Sequence, residues 1–258
     1  MNLVRSERSS IPLYFQLEQI IRSQIITGEF MPGEQIPTEK ALCQTYQVSS
    51  ITVRQAILNL VNEGLLIRKQ GKGTFITDEI AKVKTLPLSG KINDLISDGL
   101  KTNVKLIDII NIKPRKRVLD LLNLGEGEEV VRVRRTRDEK SIPVSYIVNY
   151  LPLEIGKNIQ EKDLNHHPVL QILRDELNIP LRSGIQYIDA VVADHDVSSA
   201  LSVSLFSPIL YVETIMFERQ KKPVEFVQTF VRPDRYKYSV KLSLKNGPGN
   251  EIRIMRKE

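Results

Sequence analysis

The sequence predicts an α+β protein in two parts: a small helical module closed by a β-ribbon, then a larger, mostly antiparallel sheet with flanking helices. Three observations predict it. Apolar residues recur at helical spacing from Leu13 to Leu60. A basic, glycine-spaced ribbon, Arg68-Lys-Gln-Gly-Lys-Gly-Thr74, follows at once. Beyond Leu88 the period shifts toward 2, and strand-like runs outnumber helical ones.

Each element has a local reason. Pro12 to Gly28 reads as a first helix, because Leu13, Leu17, Ile20, Ile21 and Ile25 share a face and Gly28 suits a stop. Phe30-Met-Pro-Gly-Glu34 is a turn. Thr38 caps a second helix carrying Ala41, Leu42 and Tyr46. Ser49 or Ser50 caps a third, with Val53, Ala56, Ile57 and Leu60 as its buried stripe. Leu65–Arg68 and Thr74–Thr77 form the ribbon strands. Helix-turn-helix followed by a basic ribbon is the layout of a winged DNA-binding module. Further strands are expected at Val104–Ile110, Glu129–Arg137, Val144–Leu151, Gln186–Val192, Ile209–Glu218, Val224–Arg232 and Lys237–Leu242. Helices are expected at Lys91–Asp98, Arg117–Leu122, Val169–Leu177 and Val197–Leu201, the last capped by Asp196.

Composition narrows the class. Charged residues make up 26% and apolar residues 41%, which is ordinary for a globular chain. No run approaches a membrane span, and the N-terminus lacks a signal-peptide pattern. Cys43, as the single cysteine, excludes an intramolecular disulfide and fits a reducing cytoplasm. His166, His167 and His195 lack zinc-site spacing, and no cofactor is expected. The net charge is +6. Between Gln47 and Thr77 it is focused on Arg54, Arg68, Lys69 and Lys72 against Glu63, as a phosphate footprint should be. Lys113-Pro-Arg-Lys-Arg117 reads as a solvated surface.

The N-terminal module resembles the GntR family of bacterial transcription regulators. Pro12-Leu-Tyr14, Ile25-Ile-Thr-Gly28, Pro32-Gly33, Pro37-Thr-Glu-Lys40, Val48-Ser49, Thr52-Val-Arg54, Leu60, Glu63-Gly-Leu65 and Gln70-Gly-Lys-Gly-Thr-Phe75 carry the likeness. The resemblance implies DNA contacts at Lys40, Ser49, Ser50, Thr52, Arg54, Gln70 and Gly71. Lys72 adds charge beside them. Arg54 lies off the apolar stripe, so it can reach a base edge or a phosphate. Ser49 and Thr52 place hydroxyls near a positive helix end. Family members commonly carry arginine where this chain has Ser50, which predicts a shifted operator. Lys40 replaces a bidentate fork by a point charge.

The C-terminal part resembles the UTRA effector domain of the HutC-type branch. Val130-Val-Arg-Val-Arg-Arg-Thr-Arg137, Ile142-Pro-Val144, Ala200-Leu201, Pro208-Ile-Leu210 and Pro223-Val-Glu225 through Asp234-Arg-Tyr236 carry this likeness. It implies a chorismate-lyase-like fold, a homodimer, and a pocket in which Arg135 and Arg137 bind an acidic ligand group. Strand alternation independently puts Val131, Val133, Arg135 and Arg137 on one face. Buried guanidiniums need anionic partners, and Glu225 or Glu213 could instead pair with them. Sugar-binding members often have a glutamate at the position of Ile147, a Ser-x-Tyr near Pro168 and Leu170, and a tyrosine at Val231. Apolar groups there disfavour an amino-sugar phosphate and favour an anion with an apolar body. The expected division is 1–79 for the winged module, 80–88 for a linker, 89–245 for effector binding and dimerisation, and 246–258 for a flexible tail.

The chain therefore reads as a cytoplasmic bacterial regulator, nucleoid-associated when bound to its operator. It is expected to be a homodimeric repressor of a pseudo-palindromic site that senses a small anionic metabolite. An effector-blind DNA-binding protein is an alternative if Arg135 and Arg137 pair internally. A lyase-like enzyme is another, but no Gly-x-Ser-x-Gly, P-loop or metal cluster supports it. His195, between Asp194 and Asp196, belongs to a helix-cap region rather than a catalytic dyad.

Overall fold

A computed structural model describes residues 11–78, 84–88, 91–99, 102–139 and 141–240. The expected tail at 246–258 and residues 80–83 of the expected linker lie outside these. The chain divides into two compact units. The first takes residues 1–84 together with 191–209 and 232–235; the second takes 85–190, 210–231 and 236–258.

The first unit opens with α1 (Leu13–Thr27), α2 (Glu39–Tyr46) and α3 (Ser50–Asn62), then β1 (Leu66–Lys69) and β2 (Gly73–Ile76). Gly28 ends α1 in the left-handed conformation, φ 80°, and its N–H reaches back to the Gln24 and Ile25 carbonyls. The Thr38 hydroxyl accepts from Ala41 N at 3.2 Å and starts α2. Ser49, rather than Ser50, caps α3, accepting from Thr52 N at 3.2 Å. The apolar faces meet in one core of Leu17, Ile21, Ile25, Leu42, Val53, Ala56, Ile57, Leu60, Leu65 and Ile76. Leu60 is fully buried there, and truncating it to alanine is expected to cost about 2–5 kcal/mol. β1 and β2 pair antiparallel from Leu66–Ile76 to Lys69–Gly73. Gly73 needs its lack of a side chain: φ is 118°, and a Cβ would lie 2.4 Å from Gln35 Nε2.

The second unit contains β3 (Lys84–Pro87), α4 (Ile92–Gly99), β4 (Asn103–Ile112), α5 (Lys116–Leu122), β5 (Val130–Glu139) and β6 (Ile142–Pro152). Short helices α6 (Leu153–Gly156), α7 (Glu161–Leu164) and α8 (Val169–Gln171) follow. Then come β7 (Leu181–Val192), β8 (Pro208–Glu218), β9 (Pro223–Val231) and β10 (Tyr236–Ser239), while α9 (His195–Leu201), between β7 and β8 in sequence, belongs to the first unit. The main sheet runs β4-β5-β6-β9-β8-β7, and β3 pairs with β10. The pairs β4/β5, β5/β6, β6/β9 and β8/β9 are antiparallel. One face buries Val131, Val133 and Leu151 against Leu164, Val169, Ile172 and Leu173. The other packs Val130, Ile215 and Phe226 against Val118 and Leu122 of α5.

Three local expectations change. The segment expected as linker contains β3, because its backbone pairs with β10 in spite of its mixed composition. The helix expected over Val169–Leu177 is α8 continued by a π-turn at Ile172–Glu176. Asp194, not Asp196, caps α9, accepting from Val197 N at 2.9 Å, so the helix starts two residues earlier.

The later segments of the first unit are joined to α1 and α3 by a buried polar network. Arg22 bonds Glu18 at 2.8 Å and Glu63 at 2.6 Å. Ser204 N donates to Glu63 Oε1 at 2.7 Å, and Asn59 Nδ2 to Glu18 Oε2 at 2.7 Å. Arg232 pairs with Asp234 at 2.7 Å and donates to the Glu63 carbonyl at 2.6 Å. Arg235 donates to the Gly64 carbonyl at 3.0 Å. Phe206 sets its edge against Phe15, with ring centroids 6.4 Å apart.

Candidate DNA-binding face and ligand cavity

The start of α3 presents what a groove reader needs. Ser49, Ser50 and Arg54 are exposed and Thr52 is half-buried. Ser49 Oγ and Thr52 Oγ1 lie 2.9 Å apart, so both hydroxyls stand at the positive N-terminal end of α3. Arg54 points away from the core, its side chain 66% exposed, and its Nε donates to Glu39 Oε2 at 2.9 Å. That hydrogen bond raises the Arg54 pKa. The same carboxylate takes Arg68 of β1 at 3.4 Å, so Glu39 ties α2, α3 and the wing together. Lys40, Gln70, Gly71 and Lys72 are all exposed, and Gly71 turns the wing tip at φ 72°. Gln35 Nε2 holds the tip through the Lys72 carbonyl at 3.0 Å.

Sequence reasoning missed Glu39, which stands inside the Pro37-Thr-Glu-Lys40 motif it used. It also missed Ile51, which is 77% exposed between Ser50 and Thr52. An apolar side chain there can meet a thymine methyl.

The second unit holds a cavity of about 170 Å³ on one face of the main sheet. Alternation on the strands selects its lining: Arg135 and Arg137 from β5, Ser145, Ile147 and Asn149 from β6, Val212 and Thr214 from β8, and Glu225, Val227, Thr229 and Val231 from β9. Gln186, Pro168, Val169 and Leu170 also line it, with Leu95, Thr102, Val144, Tyr236 and Tyr238. The structure therefore brings together Arg135, Arg137 and Glu225, and beside them the four departures Ile147, Pro168, Leu170 and Val231. Ser145, Thr214, Thr229 and Gln186 were not anticipated; they are the polar members of strands whose apolar members drew attention.

The electrostatics are unusual for so buried a site. Arg135 is 2% exposed. Its Nη1 donates to the Leu164 carbonyl at 3.3 Å and the His167 carbonyl at 3.0 Å, while its Nε has no hydrogen-bond partner. Burial, with Arg137 adding repulsion and Glu225 opposing, lowers its pKa to about 9. Arg137 donates to Thr102 Oγ1 at 3.0 Å, and burial lowers its pKa to about 10. Both remain cationic at neutral pH. Glu225 is fully buried and accepts from Asn149 Nδ2 at 2.6 Å. Burial raises it to about 7, against the pull of Asn149 and Arg135.

The pairing of this Arg cluster with Glu213, left open by the sequence, does not occur. Glu213 belongs to the opposite face, where Arg117 grips it in a fork at 2.6 and 2.5 Å and Tyr211 donates to it. Arg117 of the basic cluster is thus engaged, while Lys113, Arg115 and Lys116 are exposed. Arg132 and Arg134 likewise share Asp108 on that opposite face.

Among the described residues no helix is long and apolar enough to cross a membrane. Residues 13–76 match the bacterial regulatory proteins of the gntR family, and residues 97–237 match the UTRA domain. The repressor NagR of Bacillus subtilis is 27% identical over 233 residues, covering 90% of this chain and 96% of its own. The uncharacterized regulator YurK of the same organism is 30% identical over 216 residues, covering 84% and 89%. Among solved structures, PhnF from Mycobacterium smegmatis superposes with a TM-score of 0.53 at 18% identity, over 90% of this chain and all of that one. These families and relatives are transcriptional regulators rather than enzymes. With its two domain matches together spanning most of its length, the chain belongs to the gntR family of bacterial DNA-binding transcriptional regulators and carries a UTRA domain.

Proposed function

We propose that the protein is a cytoplasmic, ligand-responsive repressor that binds a pseudo-palindromic operator as a homodimer. Lys40, Ser49, Ser50, Thr52, Arg54, Gln70, Gly71 and Lys72 contact the DNA, and Arg135, Arg137 and Glu225 hold a small anionic effector. One observation carries the ligand reading. Arg135 is buried in a cavity wall, and its hydrogen bonds go to carbonyls rather than to a carboxylate. A buried cation with neutral partners and an unfilled N–H favours an incoming anion. It also disfavours the effector-blind alternative, which needs an internal acid for Arg135.

The effector is not an amino-sugar phosphate, since Ile147, Pro168, Leu170 and Val231 give that end of the cavity an apolar wall. Dimerisation has support in β7, an edge strand of the main sheet with Ile185, Tyr187 and Ile188 each about two-fifths exposed. A second copy of the chain is the occupant this reading assigns to it. Each protomer then reads one half-site, and ligand binding changes the spacing of the two readers through the segment 80–88.

Selection of binding sequences from random DNA, with sedimentation of the free protein, tests the assembly. Two-fold symmetric sites and a dimer are expected; asymmetric sites or a monomer overturn it. Calorimetry with glucosamine 6-phosphate tests the exclusion, and micromolar binding overturns that.

A further inference from the structure

The cavity has further unfilled groups, separate from the Nε of Arg135. Asn149 Oδ1 and Glu225 Oε2 are both buried without a hydrogen-bond partner. They belong to neighbouring side chains, since Asn149 Nδ2 already donates to Glu225 Oε1 at 2.6 Å. Two adjacent empty acceptors, one on a carboxyl group, call for a group with at least two N–H donors. A hydroxyl brings one donor and would leave the other acceptor bare. An ammonium brings three and supplies the charge that a buried carboxylate lacks.

Strand register sets the spacing between this end and the cationic end. Arg137 pairs with Ser145, Arg135 with Ile147 and Val133 with Asn149. Asn149, which carries one of the empty acceptors, therefore lies two residue pairs along β6 from the Arg135 pair and four from the Arg137 pair, with Ile147, Val227 and Val212 beside this path.

We propose that the effector is a zwitterion: an oxyanion at Arg135 and Arg137, a short apolar body over Ile147 and Val227, and an ammonium held by Asn149 and Glu225. This rests on the reading that the cavity binds an effector, and it adds a cationic end to the anion already assigned. Docking an ammonium favours the ionised carboxylate of Glu225, so binding near neutral pH should release a proton.

The experiment uses the full-length protein and matched probes in calorimetry at pH 7. One series is 4-aminobutanoate to 7-aminoheptanoate. A second replaces each amine by hydrogen. A third carries a phosphonate in place of the carboxylate, which separates the two sources of oxyanion. At least one amino-bearing probe is expected to bind about tenfold or more tighter than its des-amino partner. Its enthalpy should vary with buffer in the sense of proton release. Glu225→Gln should level the pair and remove the buffer dependence. Des-amino probes binding equally well or better overturn the zwitterion and leave the anion site standing. So does a preference that survives Glu225→Gln, or tight amine binding without proton release. Failure of every acid, with or without the amine, overturns the effector site itself. The wild-type comparison stands even if the variant misfolds.

Discussion

Arg54 Nε of α3 donates to Glu39 Oε2 of α2 at 2.9 Å. The guanidinium assigned to DNA reading is therefore aimed by an acid that DNA phosphates repel. An acid so placed costs affinity on every sequence but fixes the direction of the fork. Glu39→Gln is expected to tighten binding to random DNA and to narrow the ratio of operator to random affinity. Fluorescence anisotropy on both DNAs measures it, and a wider ratio refutes the role.

Arg54→Ala is expected to abolish operator binding. Lys72→Ala, at the exposed wing tip, should weaken all sequences alike and lower the salt slope by about one. Gel-shift titrations at several salt concentrations separate the two behaviours. Unchanged operator affinity in Arg54→Ala would sink the assignment of α3 as the reading helix.

Glu225 makes stability fall with pH. Its folded-state value is raised to about 7, so between the ordinary carboxylate range and about pH 7 the folded protein holds a proton that the unfolded chain has lost. Stability is highest on the acid side of that window and declines as pH rises through it. Glu225→Gln removes this contribution, and should gain up to about 3 kcal/mol over wild type at pH 8 while gaining little at pH 5. Urea titrations at the two values check it; an equal effect at both contradicts the protonation account.

Arg232 and Asp234 form an ion pair with almost no exposure, and Arg232 also donates to the Glu63 carbonyl. Burial opposes the Asp234 charge, but Arg232 and Arg235 outweigh it and hold the carboxyl below its usual range. That stabilisation is present above the ordinary carboxylate value and is lost as pH falls through the depressed one. Arg232→Ala should cost about 3 kcal/mol, because it leaves the buried Asp234 carboxylate to Arg235 alone. Adding Asp234→Ala should recover part of the loss in a double-mutant cycle followed by thermal melting. Strict additivity would mean that the two act separately.

Much of this was legible in the sequence where periodicity and side-chain chemistry agree. The stripe from Val53 to Leu60, the stop at Gly28 and the face shared by Val133 and Arg135 are all one-dimensional patterns. What was not legible depends on partners distant in the chain. Lys84–Pro87 carries no strand signature of its own and is a strand because β10 pairs with it. Glu213 and Glu225 look alike in sequence, yet strand parity sends them to opposite faces, one to Arg117 and one to the cavity. Asp194 and Asp196 both suit a cap, and the helix start decides between them. Ser145, Thr214 and Thr229 are unremarkable until register aligns them.

The polar network beneath α1 and α3 has a consequence in time. The apolar core of the first unit draws only on residues 17 to 76 and can close while the rest of the chain is still being synthesised. Its charged floor cannot. Glu63 bonds Ser204 and Arg232, which stand 141 and 169 positions later. Until those residues leave the ribosome, Glu18 and Glu63 have the help of Arg22, Gln19 and Asn59 among the described residues. A product truncated before residue 204 stays in that condition, without the Ser204 bond to the Glu63 carboxylate. The unit that carries the proposed DNA-reading face is thus begun early in synthesis and finished late.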